Sequence, residues 1–374
     1  MKRPSTIDNQ KSTTQKSSPV RVLIADDSIT VREYLKHSIN SRPDMQVVAV
    51  ARDGEEALRM VQMHHPDVVS MDIHMPVMDG LKATERIMAE YPVPIVIVTS
   101  SWHSDRDNLF RAMRAGALTV LKKPPGPDHP DSAGLMAKVI DTLKVMSEVK
   151  VVRRFHKPAG SPIHEAAHPK GPVAYSPPQG VEMVAIGSST GGPPVLKTIF
   201  QLLSSDFPLP ILAVQHITAG FLEGMVDWLN KECPLSVRIP RDGEWVQAGN
   251  VYFAPDNHHM GIREGGLIFL NADPPENGLR PSVSSLFRSA ARSYGSRAVG
   301  VLLTGMGKDG AQELKEMKDA GAVTLVQDKE SCAVFGMPGE AVKIGGASHI
   351  LAPEEIAAWL NALAETINRK RIGE

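Results

Sequence analysis

From Val20 to Leu121, short apolar runs alternate with amphipathic stretches. The runs Val22–Ala25, Gln46–Val50, Val68–Met71, Ile95–Val98 and Leu118–Leu121 are mostly too continuously apolar to leave one face wet. That pattern suits strands of a parallel sheet covered on both sides. Between them, apolar positions fall at helical spacing, as at Ala57, Leu58 and Val61, and at Met78, Leu81, Ile87 and Met88. Five strands separated by helices predict a doubly wound, five-stranded parallel α/β domain. The breaker cluster Lys123-Pro124-Pro125-Gly126-Pro127 follows, and Leu135, Val139, Leu143 and Met146 then predict a closing helix.

A second alternation starts at Val181, with strands predicted at Met183–Ile186, Ile211–Val214, Val299–Leu303 and Val323–Val326. Asn250–Ala254 and Leu267–Leu270, with the turn signal Glu264-Gly265-Gly266 between them, predict an inserted antiparallel pair. This second unit therefore reads as another doubly wound α/β domain. Residues 1–20 are rich in Ser, Thr, Lys and Gln and predict a flexible tail. Pro158, Pro162, Pro169, Pro172, Pro177 and Pro178 mark an extended linker. The expected division is a tail over 1–20, a first domain over 21–150, a linker over 151–180 and a second domain over 181–374.

Composition narrows the class. The 374 residues are 42% hydrophobic and 22% charged, as in an ordinary globular protein. The net charge of -1, and no helix-turn-helix candidate after residue 181, argue against a nucleic-acid partner. Two cysteines, Cys233 and Cys332, exclude a disulfide-built scaffold. The apolar runs fall far short of the ~18 residues of a membrane span, and the N-terminus lacks the apolar segment of a signal peptide. The expectation is a soluble, cytoplasmic protein with no membrane insertion.

Chemistry collects at predicted strand ends, as it does in open α/β sheets. In the first domain the strands run out into Asp26-Asp27, Asp72, Thr99-Ser100 and Lys122-Lys123. Three convergent carboxylates repel one another unless a hard divalent ion, most plausibly Mg²⁺, sits among them. Asp72 can then accept a phosphoryl group, with Thr99 and one of the lysines binding its oxygens. The simpler reading is that each acid caps a helix, as Asp27 and Asp79 can. In the second domain the first strand enters Gly187-Ser188-Ser189-Thr190-Gly191-Gly192. A Gly-rich turn of this kind can cradle a phosphate, but it is not G-x-G-x-x-G, and the next strand ends in Gln215-His216 rather than an acid. A hydroxyl on that turn and the His216 imidazole can form a nucleophile and base. Asp309, in Gly305-Met306-Gly307-Lys308-Asp309-Gly310, is the candidate to orient the imidazole, with nearby glycines opening backbone N–H groups to an oxyanion.

Two resemblances sharpen these readings. Ile24-Ala25-Asp26-Asp27-Ser28, Met71 to Gly80, Val98-Thr99-Ser100 and Lys123-Pro124 resemble the receiver domain of two-component response regulators. The resemblance implies Asp72 as phosphoacceptor, a Mg²⁺ site at Asp26, Asp27 and Asp72, and phosphate sensing by Thr99 and Lys123. Receivers often carry an aromatic residue three positions before that lysine; here it is Val120. Ala185 to Gly192, Gln215-His216, Arg280 to Val283, Leu303 to Gly310 and Val334 to Pro338 resemble the catalytic domain of the chemotaxis methylesterases. With the receiver ahead of it, the chain is similar to the chemotaxis response regulator protein-glutamate methylesterase family.

That likeness implies Ser189, not Ser188, as nucleophile, His216 as base and Asp309 as orienting acid, with the Thr190 and Met306 backbones as oxyanion donors and no cofactor for ester hydrolysis. The implied substrate is a glutamyl methyl ester on the cytoplasmic domain of a methyl-accepting chemoreceptor, with receptor glutamine deamidation as a related activity. The implied phosphodonor is a histidine kinase, and an unphosphorylated receiver is expected to cover the catalytic mouth. Met225, Met260, Met306 and Met337 are candidate receptor contacts or core residues. The alternative is a receiver joined to a non-catalytic module that binds a nucleotide or a partner.

Overall fold

The computed structural model describes residues 18–100, 111–113, 115–149, 151 and 178–372. The expected tail up to residue 17 and the expected linker over 152–177 lie outside the described residues. Strands β1 (Val20–Ala25), β2 (Met45–Ala51), β3 (Val68–Met71), β4 (Ile95–Thr99) and β5 (Thr119–Lys122) form one sheet in the order β2-β1-β3-β4-β5. Every pairing is parallel. β3 and β4 are buried along their whole length, as strands covered on both faces must be. Helices Gly54–His64 and Gly80–Glu90 start on Asp53 and Asp79, whose carboxylates accept from the Glu56 and Lys82 amides at 2.8 and 2.7 Å. The predicted closing helix spans Ser132–Met146.

The second unit contains β6 (Met183–Ser188), β7 (Ile211–Gln215), β8 (Ser236–Arg238), β9 (Asn250–Phe253), β10 (His259–Arg263), β11 (Leu267–Asn271), β12 (Ala298–Leu302), β13 (Val323–Gln327) and β14 (His349–Leu351). Seven of these form a parallel sheet in the order β14-β13-β12-β6-β7-β9-β8. The inserted antiparallel pair is present, but it joins β10 to β11. Asn250–Phe253, expected in that pair, lies instead in the main sheet beside β7. The reason is loop length: Ala254 is too far from Leu267 for a tight hairpin, whereas Arg263 is only a few residues away.

The sheet order reverses direction at β6. From there the chain builds outward through β7, and later through β12 on the other side. The carboxyl ends of β12, β6 and β7 therefore lie side by side, at the switch point where doubly wound sheets hold their ligands. The two units also touch. Ala333 and Val334 of the second pack against the first unit's hydrophobic cluster, which runs from Val22 and Ile24 to Met146 and Val149. A cavity of about 540 Å³ opens between them. Among the described residues, no helix is long and apolar enough to cross a membrane.

Candidate functional site

The acid pocket forms where β1, β3, β4 and β5 end. Asp26 and Asp72 are buried, Asp27 is exposed, and one carboxylate oxygen from each lies within 4.8 Å of the others. The capping explanation fails for the first two, because neither accepts the capping bond of a helix. Asp26 instead accepts from the Ser28 amide at 3.0 Å and Asp72 from the Ile73 amide at 2.8 Å. Lys123 spans them, with Nζ 2.7 Å from Asp26 Oδ2 and 2.6 Å from Asp72 Oδ2. Lys123, not Lys122, thus enters the pocket, and its amide donates to the Thr99 carbonyl at 2.9 Å. Burial, helped by the Asp72 charge, raises the Asp26 carboxyl above its usual range despite Lys123. Burial pulls the Lys123 ammonium downward, but Asp72 and Asp26 outweigh it and the balance is upward. Three hard oxygen donors around one point fit a divalent cation.

The second site sits at the ends of β6, β7 and β12. Ser188 closes β6 fully buried, and its hydroxyl donates to Gln215 Oε1 at 2.7 Å. That bond orients the Gln215 amide, whose Nε2 donates to the Ser189 and His216 carbonyls at 2.7 and 2.8 Å. One glutamine side chain therefore ties the turn carrying Ser189 to the residue at the end of β7. The neighbouring hydroxyl at 188 faces inward and is engaged, while Ser189 lines the cavity with Thr190, His216 and Met306.

The glycines of this turn make room for protein, not for a phosphate. A Cβ on Gly192 would lie 2.2 Å from Gln215 Oε1, and one on Gly191 would lie 2.4 Å from the Ala333 Cβ. A Cβ on Gly305 would lie 2.7 Å from the Ser189 Cβ, so glycine there lets the end of β12 approach the nucleophile turn. The phosphate-cradle reading loses its support, since the Gln215 side chain fills the space.

His216 Nε2 lies 2.9 Å from Asp309 Oδ2, a charge-pairing distance without hydrogen-bond alignment. Asp309 is almost wholly buried. Val283 N donates to its Oδ2 at 2.7 Å; the Ser282 and Ser284 hydroxyls and the Ser284 amide approach Oδ1 at 2.8, 2.7 and 3.2 Å. These amides begin helix Val283–Tyr294, whose N-terminus favours a carboxylate. Burial works to raise the Asp309 carboxyl, but His216 and these donors outweigh it and hold it down at about 2. The structure places Ser189 and His216 on one cavity with Asp309 against the imidazole, and gathers Asp26, Asp27, Asp72 and Lys123 in one pocket, with Thr99 at the end of β4. Sequence reasoning missed Gln215, Ser188 and Ser284 as supports. Of the four methionines, Met225, Met260 and Met337 are core and Met306 is half exposed at the cavity.

The receiver side of the cavity is formed by Met113, Leu118 to Leu121, Lys138, Asp141 and Thr142. Val120, at the position where receivers often carry an aromatic side chain, is therefore part of the wall facing Ser189 and His216.

Comparison with known proteins places the two units in known families. Residues 22–133 match the response regulator receiver domain and residues 184–360 match the CheB methylesterase domain. The chain is 48% identical over 347 residues to protein-glutamate methylesterase/protein-glutamine glutaminase 4 of Geobacter metallireducens, covering 92% of this chain and 99% of that one. It is 49% identical over 353 residues to protein-glutamate methylesterase/protein-glutamine glutaminase 1 of Syntrophus aciditrophicus, covering 93% and 99%. The crystal structure of the Thermotoga maritima CheB methylesterase catalytic domain is 39% identical, covers 49% of this chain and 98% of that one, and superposes with a TM-score of 0.48. With near-half identity across the full length of such relatives, and a receiver preceding a methylesterase domain, the chain belongs to the CheB family of protein-glutamate methylesterases/protein-glutamine glutaminases.

Proposed function

We propose that this protein hydrolyses glutamyl methyl esters on the cytoplasmic helices of chemoreceptors, and deamidates receptor glutamines by the same acyl chemistry, under the control of its own receiver domain. The observation that carries the reading is that Ser189 and His216 line one cavity at adjacent strand ends, with Asp309 Oδ2 2.9 Å from His216 Nε2. Ser189 attacks the ester carbonyl. His216 takes the hydroxyl proton and passes it to the leaving methanol; water then repeats the sequence to release the glutamate. Because Nε2 faces Asp309, Nδ1 is the nitrogen left for the Ser189 proton. Asp309 holds the tautomer and stabilises the imidazolium. The off-line His216–Asp309 contact tightens when substrate binds, as catalytic hydrogen bonds commonly do. The backbone amides of Thr190 and Met306 are the oxyanion donors, the first directly after the nucleophile and the second across the cavity. Ester hydrolysis needs no cofactor in this scheme.

Asp72 is the phosphoacceptor, and a histidine kinase of the receptor pathway the donor. Asp26, Asp27 and Asp72 would hold Mg²⁺, which supplies charge neutralisation as the phosphoryl group arrives. The receptor bundle as substrate places the enzyme in the cytoplasm. Control follows from β5 and its flanks, which contribute Lys123 just beyond one end to the acid pocket, and Leu118 just before the strand with Thr119 to Leu121 to the cavity lined by Ser189. Phosphorylation adds about −1.5 to −2 of charge, draws Lys123 onto the phosphoryl oxygens and shifts the population away from the closed form. A tenfold activation asks for a shift of only about 1.4 kcal/mol.

The test is methanol release from methylated receptor. Ser189→Ala is expected to abolish it while the receiver still accepts phosphate. Asp72→Asn is expected to keep basal release and lose stimulation by phosphodonor. Retained esterase activity in Ser189→Ala would overturn the triad, and retained stimulation in Asp72→Asn would overturn the regulation.

A further inference from the structure

Behind Asp309 lies a network, buried at Ser284 and half-buried at Glu313, Arg288 and Glu276, that the reaction scheme above leaves unused. Ser284 Oγ is 2.7 Å from Asp309 Oδ1 and 2.6 Å from Glu313 Oε2, and it accepts from the Gly310 amide at 3.0 Å. Glu313 Oε1 takes a bond from Arg288 Nη2 at 3.0 Å. Arg288 also grips Glu276 through two bonds of 3.0 and 2.9 Å. The paired glutamates hold the Arg288 guanidinium above its ordinary range, so it stays a fixed cation. The chain of contacts runs from Glu276 near the surface to the carboxylate beside His216.

A hydroxyl carries one hydrogen. Ser284 therefore cannot donate to both carboxylates at once, although it lies at strong hydrogen-bond distance from each. When the hydrogen points to Glu313, Asp309 Oδ1 keeps only the Ser282 hydroxyl and the Ser284 amide. When it points to Asp309, that oxygen has three donors, and the carboxylate becomes a weaker partner for an imidazolium. Ser282 has no such rival, because its only hydroxyl contact is Asp309 among the described residues.

We propose that Ser284 is a positioning residue that shares its hydroxyl hydrogen between Asp309 and Glu313, and that the Glu313–Arg288 pair thereby sets how strongly Asp309 holds a proton on His216. The inference rests on the triad reading and deepens it. The remaining groups facing this network are few. His216 meets Asp309 from the end of β7. His259, on β10, accepts from the Ser282 amide at 3.3 Å through Nδ1 and reaches the Pro274 carbonyl at 3.2 Å through Nε2, which fits one neutral tautomer. Glu276 comes from the loop after β11, and Arg288 from the helix that Ser284 itself begins.

The prediction concerns direction. Glu313→Gln keeps the shape and supplies an amide that can donate to Ser284 Oγ, which frees the hydroxyl hydrogen for Asp309. Proton uptake by His216 should then move to lower pH, because each added donor weakens the carboxylate's hold on the imidazolium. Ser284→Ala removes a donor and should move it up. In the Ser284→Ala background, Glu313→Gln should produce less than half of its original shift, since the transmitting hydroxyl is gone. Ser284→Thr restores the hydroxyl and should restore the coupling.

Two readouts on the full-length protein test this. One is the acid limb of kcat/KM with a chromogenic ester. The other is NMR titration of the His216 ring, which needs no substrate. Equal Glu313→Gln shifts with and without the Ser284 hydroxyl, or none in either, would overturn the proposal and leave the esterase reading intact. The expected pattern in the NMR titration, with no hydrolysis of receptor or ester, would instead sink the methylesterase reading while the coupling stands.

Discussion

Ser188 and Gln215 show how the turn carrying the proposed nucleophile, Ser189, is held by buried side chains. Ser188→Ala would leave Gln215 Oε1 buried and without its donor, at a cost of about 1–3 kcal/mol. We expect a fall in thermal stability and a severalfold loss of kcat with KM little changed, measured by calorimetry and ester turnover. Gly305→Ala tests the same turn from the other side. Its Cβ would meet Met337 Sδ at 2.4 Å and Ser189 Cβ at 2.7 Å, so activity should drop at least tenfold even where the fold survives. The proposed triad was legible in part because Ser189, His216 and Asp309 each follow a recognisable strand; the family resemblance was needed to choose Ser189 over Ser188. Their supports were harder to see. Ser284 and Arg288 share a helix face four residues apart, as Asp309 and Glu313 share a spacing of four, but nothing in the linear pattern says that these two faces meet.

At the scale of elements, helix Val283–Tyr294 joins stability to chemistry. Its first amides hold Asp309, whose carboxyl is lowered from 3.8 to about 2. A depressed carboxyl stabilises the fold above its unfolded value and loses that contribution as pH falls through its folded value. The stabilisation, about 2 kcal/mol, should be present above pH 4 and vanish progressively toward about pH 2. Urea midpoints measured across that window should fall more steeply for the native protein than for Asp309→Asn. The parallel strands were legible for a physical reason: doubly covered strands such as β3, β4 and β6 need apolar residues at nearly every position. Shorter elements were not. β8 and β14 have three residues each and carry polar ends, and β10 was passed over in favour of the more apolar β9.

Across the whole molecule, the cavity between the two units makes the closed state testable. Thr119 is half-buried on β5 and lines the cavity facing Ser189. Thr119→Arg puts a charge into that seam without entering either catalytic or phosphate chemistry. Methanol release without phosphodonor should rise severalfold, while phosphorylation of Asp72 proceeds as before. Unchanged basal release would mean that the receiver does not restrain the site through this face. The two-domain division was legible because proline-rich chain separates two apolar rhythms, but the contact between them was not, since Ala333 and Val334 look in sequence like any short apolar pair.

Among the described residues β5 pairs only with β4, and four consecutive residues, Leu118 to Leu121, line the cavity shared with the second unit. Withdrawal of the second unit from this face would expose these apolar residues beside an edge strand, where other chains can associate. The signalling enzyme should therefore be less colloidally stable when active than at rest.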